Sequence, residues 1–584
     1  MSDKLALIEM HIMTEIIPRT IPAAATQSLL EQGYASALAR IFAARGITDS
    51  QQLDTTLARL IPFDGLKNVC TMATLLADAI TARKKITVIA DYDADGATAC
   101  TVAVRGLRAF GARIDFIVPN RFEYGYGLTP EIVQLAAQGG DAADHPPPDI
   151  LLTVDNGIAS VEGVAEANRL GMQVLITDHH LPGDVLPEAA CIVNPNQLDC
   201  AFPSKNLAGV GVMFYVLLAL RAELRTRGAF TTQAEPKLAE LLDLVALGTV
   251  ADVVKLDQNN RILVQQGLLR IRAGRACPGI NALLRVAKKY PARVSSQDLG
   301  FAIGPRLNAA GRLDDMSLGI NCLLSEHDTA ATQIAAQLDA LNRERRNIET
   351  EMQASALTAL EDIDPADSYT LSLFDASWHQ GVIGILASRL KDKFHRPTII
   401  FARANNEEIK GSGRSIAGLH LRDALDLVSK RHPTLIKKFG GHAAAAGLSI
   451  TETDLSKFVT AFEQVCSELL SQQDLAQHIA TDGALEAPEM TLEIAHLLDQ
   501  QVWGQGFPAP QFSNEFSVQS QRVVGEKHLK IRLEHQGKPI EAILFGHNEP
   551  LPQRVLAVYS MSVNEYNGNQ SLQLIIRHWQ AMQE

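Results

Sequence analysis

Ile86-Thr-Val-Ile-Ala90 runs directly into Asp91-Tyr-Asp93-Ala-Asp95-Gly96, and the reading of these eleven residues decides the fold. The first five carry no charge and read as a short strand, while Ala97–Phe110 after the acids reads as a helix. Ile114–Val118, Ile150–Val154 and Val174–Ile176 repeat the pattern, each a short apolar run closed by Gly, Pro or polar residues. Short strands with no polar alternation, separated by helices, predict a parallel sheet covered on both faces. His145-Pro-Pro-Pro-Asp149 is then a loop inside that domain, because the strand pattern resumes behind it.

Asp-x-Asp-x-Asp-Gly also opens a calcium-binding EF-hand loop, which requires a bidentate Glu at its twelfth position. Counted from Asp91 that position is Val102, so the reading fails. A solvated acidic turn is the ordinary alternative. The ends of the neighbouring strands count against it: Ile150–Val154 runs into Asp155-Asn-Gly157, Val174–Ile176 into Thr177-Asp178-His179-His180, and Leu241–Val250 into Ala251-Asp252. Ligands of open parallel sheets gather at the carboxyl ends of the strands, so these groups are expected at one edge. Acids packed so closely repel one another and are costly to bury without cations. Mixed carboxylate and imidazole donors suit Mn²⁺, or else Mg²⁺. Enough donors are present for two ions about 4 Å apart, the arrangement for in-line attack at phosphorus. Asp93, Asp95, Asp155, His179 and Asp252 are expected to hold the ions, with Asp155 as the bridge. Asp178 is a candidate ligand or an orienting partner of an imidazole, His180 a candidate for ion or phosphate, and Asp91 a further candidate ligand.

Glu326 to Asp362 carries apolar residues at Ile334, Leu338, Leu341, Ile348, Met352, Leu357 and Leu360 and contains neither Gly nor Pro. It predicts one long amphipathic helix joining two lobes. A second α/β unit is expected from about Tyr369 to Leu470. Beyond Asp482, Phe516–Val518, Leu529–Leu533, Ile540–Phe545, Val555–Ser560 and Leu572–Arg577 read as five strands of a small oligonucleotide-binding type of barrel. The divisions drawn are 1–55 as an N-terminal appendage, 56–275 as the sheet domain, 276–362 as a helical region, 363–472 as the second α/β domain and 473–584 as the barrel.

At 584 residues several cores are needed. Seven scattered cysteines with no Cys-x-x-Cys pair argue against a disulfide framework or zinc ribbon and for a reducing compartment. The longest apolar run, Gly209–Leu220, has 12 residues, short of the roughly 20 needed to span a bilayer. Asp3, Glu9 and His11 interrupt the N-terminus, which lacks a signal-peptide core. A soluble, cytoplasmic protein is expected. The net charge of −13 would by itself disfavour a nucleic acid, but Ala376–Ala445 holds twelve Lys/Arg against five Asp/Glu. Charge therefore does not decide between partners.

These segments resemble the DHH phosphoesterase superfamily, whose Asp-His-His is matched by Asp178–His180, and within it the RecJ family of single-strand-specific exonucleases. The resemblance extends through Pro119–Gly127, Leu247-Gly-Thr-Val-Ala-Asp252, Gly304–Arg312, Trp378–Gly384, Gly411–Ser415 and Gly440–Gly447. The last three are similar to the family's accessory DHHA1 domain. One departure is Ile89, where many relatives carry a histidine. The resemblance implies an exonuclease that degrades single-stranded DNA from the 5′ end, in recombination and repair, beside a helicase and the single-strand-binding protein.

In the second half, Gly411-Ser-Gly-Arg-Ser415 offers backbone N–H groups, the hydroxyls of Ser412 and Ser415 and the Arg414 guanidinium, all suited to a phosphate oxygen, with a flexible turn as the ordinary alternative. Arg306, Asn308 and Arg312, in a Gly-rich loop, together with His379 and His442, complete the expected strand contacts. Trp503, Phe507, Phe512, Tyr559 and Tyr566 are candidates to stack on bases beside Lys527, Lys530 and Arg532, although burial in the barrel core is the default for half or more of them. A small-molecule phosphodiesterase would not need the barrel, and a scaffold without chemistry would not need intact acids.

Overall fold

The computed structural model describes residues 14–120, 123–124, 127–139, 146–231, 234–360, 368–404 and 407–582. The chain divides into two compact units, a larger one of Thr20–Asn342 with Asp482–Glu584 and a smaller one of Met1–Arg19 with Arg343–Thr481.

In the larger unit, β1 (Lys85–Ala90), β2 (Arg113–Ile117), β3 (Ile150–Val154), β4 (Gln173–Thr177) and β5 (Cys191–Val193) form a sheet in the order β2-β1-β3-β4-β5. Every neighbouring pair in it is parallel. Side chains alternate across a sheet, and both faces here find apolar cover. Ile86, Val88 and Ala90 enter the main core with α1 (Ala94–Ala109) and α2 (Gly209–Thr226), while Ile89 enters a separate cluster with Ile132, Val133 and Val164. Ile89 is thus a core residue. The apolar run Gly209–Leu220 is the buried length of α2. Among the described residues no helix is long and apolar enough to cross a membrane.

The chain leaves β1 for β2 on one side and returns to β3 on the other, so the carboxyl ends of β1 and β3 flank the switch point of the sheet. Open α/β sheets have their crevice there. Asp91 follows β1 and Asp155 follows β3.

The same unit closes β11 (Phe512–Val524), β12 (His528–His535), β13 (Lys538–Phe545), β14 (Arg554–Tyr566) and β15 (Asn569–Ala581) into a barrel in the order β11-β12-β13-β15-β14. Residues 20–55, expected as an appendage, contribute to the shared core. Phe42 stacks on Trp503 and Phe507 with centroids 6.1 and 6.4 Å apart. Arg45 pairs with Asp482 at 2.6 Å, the two side chains only 2% and 1% exposed.

Expected from the absence of Gly and Pro, the long helix is present over Asp328–Ala359; Glu361 and Asp362 lie outside the described residues. The smaller unit holds β6 (Leu371–Phe374), β7 (Thr398–Arg403), β8 (Glu408–Arg414), β9 (Lys438–Gly441) and β10 (Ala445–Thr451) in the order β9-β10-β8-β7-β6. β6 and β7 are parallel and the remaining pairs antiparallel. Glu15–Pro18 pairs in parallel with His478–Thr481.

Candidate metal centre

Each acid is fixed by backbone geometry before any ligand is considered. Asp93 is the N-cap of α1, its Oδ1 accepting the N–H groups of Asp95 and Gly96 at 2.9 Å each. Asp95 lies in the first turn of α1 and caps another helix: its Oδ2 accepts Gly209 N–H at 2.5 Å and its Oδ1 accepts Val210 N–H at 2.9 Å, at the start of α2. That contact needs glycine. A Cβ on Gly209 would stand 2.5 Å from Asp155 Cβ and 2.6 Å from its Oδ1, and one on Gly248 would stand 2.9 Å from Asp95 Oδ1.

Asp155 leaves β3 in the left-handed region, φ 61°, which Asp tolerates better than most residues. Asn156 holds that turn by donating to the carbonyls of Ile89 and Val154 at 3.1 and 2.9 Å. Asp178 is fully engaged by protein donors. Its Oδ1 takes the N–H groups of His179 and His180 and lies 2.7 Å from His180 Nδ1, and its Oδ2 takes Ile158 N–H. This places Asp178 as an orienting group for the two histidines. Asn194 and Asn196, behind β5, donate to the carbonyls of His180 and His179 at 2.9 and 2.5 Å. Asp252 ends the helix α3 (Leu242–Ala251), against the negative end of its dipole.

These side chains converge. His179 Nε2 lies 3.0 Å from Asp155 Oδ1, 3.5 Å from Asp252 Oδ2 and 4.0 Å from Asp95 Oδ2. Ligand atoms of Asp95, His179 and Asp252 fall within 4.8 Å of one another, as do those of Asp91, Asp93 and Asp155, and those of Asp155, His179 and His180. Two of these groups share Asp155 with carboxylates or imidazoles on either side of it. The chemistry of the donors fits a divalent cation, since Asp155 Oδ1 and Asp252 Oδ2 are buried with no hydrogen-bond partner among the described residues.

Electrostatics agree. Burial, then the charge of Asp93, pushes the Asp91 and Asp95 carboxyls up to about 8 and about 7. Burial followed by the neighbouring carboxylates raises Asp155 and Asp252 well above the usual range. Asp178 is held below it: burial opposes ionisation, but the hydrogen bond and charge of His180 outweigh that. Burial in turn opposes charge on His180, and Asp178 overcomes it to raise the imidazole to about 9. Without cations such a cluster takes up protons, and a cation displaces them.

Among the expected strand contacts, Arg306, Asn308 and Arg312 sit on a helix, α4 (Gly304–Leu313), where a loop was expected. Arg306 is committed to an ion pair with Asp339 at 2.8 Å, and Asn308 Oδ1 accepts Ala94 N–H at 2.8 Å. Arg312, one turn from Asn308, shares its helix face. In the smaller unit, Gly411–Arg414 is part of strand β8, not a turn, so its backbone N–H and C=O groups serve the ladder to β7 and β10. Arg414 Nη1 donates to Ser412 Oγ at 3.3 Å, and Arg414 lies in register with Ala445, three residues past His442. Ser415 donates its hydroxyl to Leu419 O. His379 Nδ1 accepts Gly381 N–H at 3.0 Å and opens the turn into α5 (Ile383–Phe394). Arg121, Phe122, Gly125 and Tyr126 of the Pro119–Gly127 motif lie outside the described residues. In the barrel, Trp503, Phe507, Phe512 and Tyr559 are core residues, 7% exposed or less, and of the five stacking candidates Tyr566 alone is open, at 74%. Phe545, which sequence reading passed over as a strand end, is 54% exposed against His528.

Comparison with known proteins identifies three family domains along the chain. The chain matches the DHH family, N-terminal domain, over residues 85–249, the DHHA1 domain over 366–468 and the RecJ OB domain over 481–578. It is 48% identical to the single-stranded-DNA-specific exonuclease RecJ of Dickeya dadantii over 584 residues, covering 97% of this chain and 99% of that protein. Against the Escherichia coli protein of the same name it is 48% identical over 92% of this chain and 95% of the relative. Crystal structures of RecJ from Thermus thermophilus in complex with Mn²⁺ and with Mg²⁺ superpose with TM-scores of 0.82 and 0.77 at 28% and 26% identity. They cover 98% and 100% of this chain and 80% of each crystallised chain. With its sheet domain, DHHA1 domain and barrel in this order, and with relatives matched over nearly their whole length, the chain belongs to the RecJ family of single-stranded-DNA-specific exonucleases.

Proposed function

We propose that this chain is a metal-dependent hydrolase that removes nucleotides from single-stranded DNA, and that the acids at the switch point of the parallel sheet hold two Mn²⁺ or Mg²⁺ ions. The observation that carries the reading is the set of ligand groups linked through Asp155 and His179, with buried oxygens of Asp155 and Asp252 that accept no hydrogen bond among the described residues. Asp91, Asp93 and Asp155 would hold one ion and Asp95, His179 and Asp252 the other, the two groups meeting where His179 Nε2 lies 3.0 Å from Asp155 Oδ1. Such ions supply Lewis acidity at phosphorus and lower the pKa of bound water. Asp178 fixes the orientation of His180 through Nδ1 and keeps its charge, which suits a phosphate oxygen near the cluster. Asp95 is held by the N–H groups of Gly209 and Val210, and Asp155 by the Asn156 turn and the close approach of Gly209.

Arg312, His379, Ser412, Arg414 and His442 are the side chains proposed to hold the phosphates of the strand. On the barrel, the outward faces of β12 and β13 carry His528, Lys530 and Arg532 beside Phe545, with Lys530 paired to Glu541 at 3.2 Å, a surface that offers cations and an open aromatic ring to a single strand. Family resemblance supports 5′ to 3′ polarity, release of mononucleotides, a place in recombination and repair, a cytoplasmic location, and work beside a helicase and the single-strand-binding protein. The test is digestion of an oligonucleotide labelled at either end, with Mn²⁺, Mg²⁺ or EDTA, by wild type and Asp155→Ala. Metal-dependent release from the 5′ label that Asp155→Ala abolishes is expected. Inertness toward DNA with turnover of dinucleotides or pyrophosphate would overturn the substrate assignment and leave the metal centre.

A further inference from the structure

The first turn of α1 begins with backbone N–H groups that no helical carbonyl can accept. Asp93 Oδ1 accepts those of Asp95 and Gly96, and Asn308 Oδ1, 214 residues away in sequence, accepts that of Ala94. Ala94 is buried, so without Asn308 its N–H would be stranded away from water. One helical turn on from Asn308 comes Gly311, where a Cβ would stand 1.9 Å from the carbonyl oxygen of Tyr92. Residues three apart share a helix face, so α4 meets peptide units 92 and 94, the two that flank Asp93, at two adjacent points. The helix is itself anchored: Arg306, 9% exposed, donates Nε to Asp339 Oδ1 at 2.9 Å and Nη1 to Ala302 O at 2.6 Å.

We infer that Asn308 and Gly311 are positioning residues that clamp the Asp91–Asp95 turn into its ion-binding shape, with Arg306 holding the clamp, and that Asn308 and Arg306 do not contact the DNA strand. This rests on the metal-centre reading above. Three carboxylates in five residues repel one another, and the turn must resist spreading while still bringing its oxygens to one point. Asn308 is suited to the task because a carboxamide accepts the Ala94 N–H without adding a further negative charge to the cluster.

Mn²⁺ binding to the whole chain, read from the electron-paramagnetic-resonance signal of free Mn²⁺, tests the clamp. Affinity for a fluorescent single-stranded oligonucleotide is measured in EDTA alongside it. Asn308→Leu, isosteric but without an acceptor, is expected to weaken Mn²⁺ binding about 10- to 100-fold, the usual range for groups that orient ligands. Asn308→Asp, which keeps the acceptor but adds the charge that the carboxamide avoids, is expected to bind Mn²⁺ more tightly than Asn308→Leu and less tightly than wild type, and oligonucleotide affinity to be unmoved in both. Unchanged Mn²⁺ binding with lost oligonucleotide affinity in Asn308→Leu would overturn the inference. Absence of Mn²⁺ binding by wild type would instead defeat the metal-centre reading itself. Should Asn308→Leu fail to fold, hydrogen exchange of wild type in EDTA decides: a protected Ala94 amide is expected, and free exchange there would refute the clamp.

Discussion

Gly209→Ala isolates the packing that sets Asp155. At an ordinary helix N-terminus this change is neutral or mildly stabilising, because Ala has the higher helix propensity, by roughly 1 kcal/mol in an interior position. Here the added Cβ would fall 2.5 Å from Asp155 Cβ and 2.6 Å from its Oδ1. Real Cβ contacts sit at about 3.4 Å or beyond, so either the Asp155 turn or the start of α2 must retreat by about 1 Å. Retreat of the turn moves the carboxylate shared by the two ligand groups, and retreat of the helix lengthens the 2.5 Å bond from Gly209 N–H to Asp95. Misplacement on that scale costs on the order of 100-fold in rate, and the overpacking itself about 1–3 kcal/mol of stability. Oligonucleotide digestion across a Mn²⁺ titration reads the first, and urea unfolding of the EDTA-treated protein reads the second. A Gly209→Ala protein with wild-type kcat, wild-type Mn²⁺ dependence and unchanged or raised stability would refute the argument that this contact fixes the site.

The metal-free protein should lose stability as pH rises. Asp91 and Asp95 titrate near 8 and 7 in the folded chain against 3.8 ordinarily, so between about pH 4 and 8 the folded state binds more protons than the unfolded one. Tm in EDTA is therefore expected to fall from pH 5.5 to pH 8.5 and Mn²⁺ to restore more of it at the higher pH; a flat or rising profile in EDTA would contradict the burial of these carboxyls. Asp178→Asn removes the charge that holds His180 near 9 and leaves the donors of Ile158, His179 and His180 with one acceptor oxygen between them. Activity is expected to drop about 10- to 100-fold, with the His180 titration, followed by NMR, returning toward the ordinary imidazole value. Arg45→Met leaves Asp482 buried without its cation and should cost about 3–5 kcal/mol in urea unfolding; Mn²⁺ affinity should be unaffected, and a coupled loss would show that the barrel joint reaches the metal centre. On the barrel, Phe545→Ala with Lys530→Ala is expected to weaken oligonucleotide affinity by about 1–3 kcal/mol for the lost stacking alone, whereas unchanged anisotropy titrations would remove the outer face from the binding surface.

Much of this protein was legible in its local sequence. Strands without polar alternation announce a sheet covered on both sides, and an acid placed directly after such a strand is delivered to the carboxyl edge whatever the rest of the chain does. Asp91, Asp155 and Asp178 follow that rule, and Asp252 joins them from the end of α3. The long helix and the five barrel strands were likewise written in periodicity and in the absence of Gly and Pro. What tertiary structure alone decided are contacts between residues far apart in the chain. Asn308 reaches Ala94 across 214 residues, and Asp95 reaches the N–H of Gly209 across 114. No local pattern distinguishes a glycine that seals a metal site from one that ends a helix, or an asparagine that clamps a turn from one that meets a substrate. Asp178 reads as a ligand by its neighbours, yet its oxygens are occupied by Ile158, His179 and His180. Gly411–Arg414 offers backbone N–H groups to a phosphate by composition, but β7 and β10 take that backbone into a ladder. The barrel aromatics divide in the same way. Burial of Phe512 and Tyr559 and exposure of Phe545 depend on which strand faces each one across the closed sheet, and closure is a property of the whole barrel. Periodicity determines what a segment becomes, because that is settled within a few residues; the partner of each polar atom is settled by packing, which only the folded chain completes.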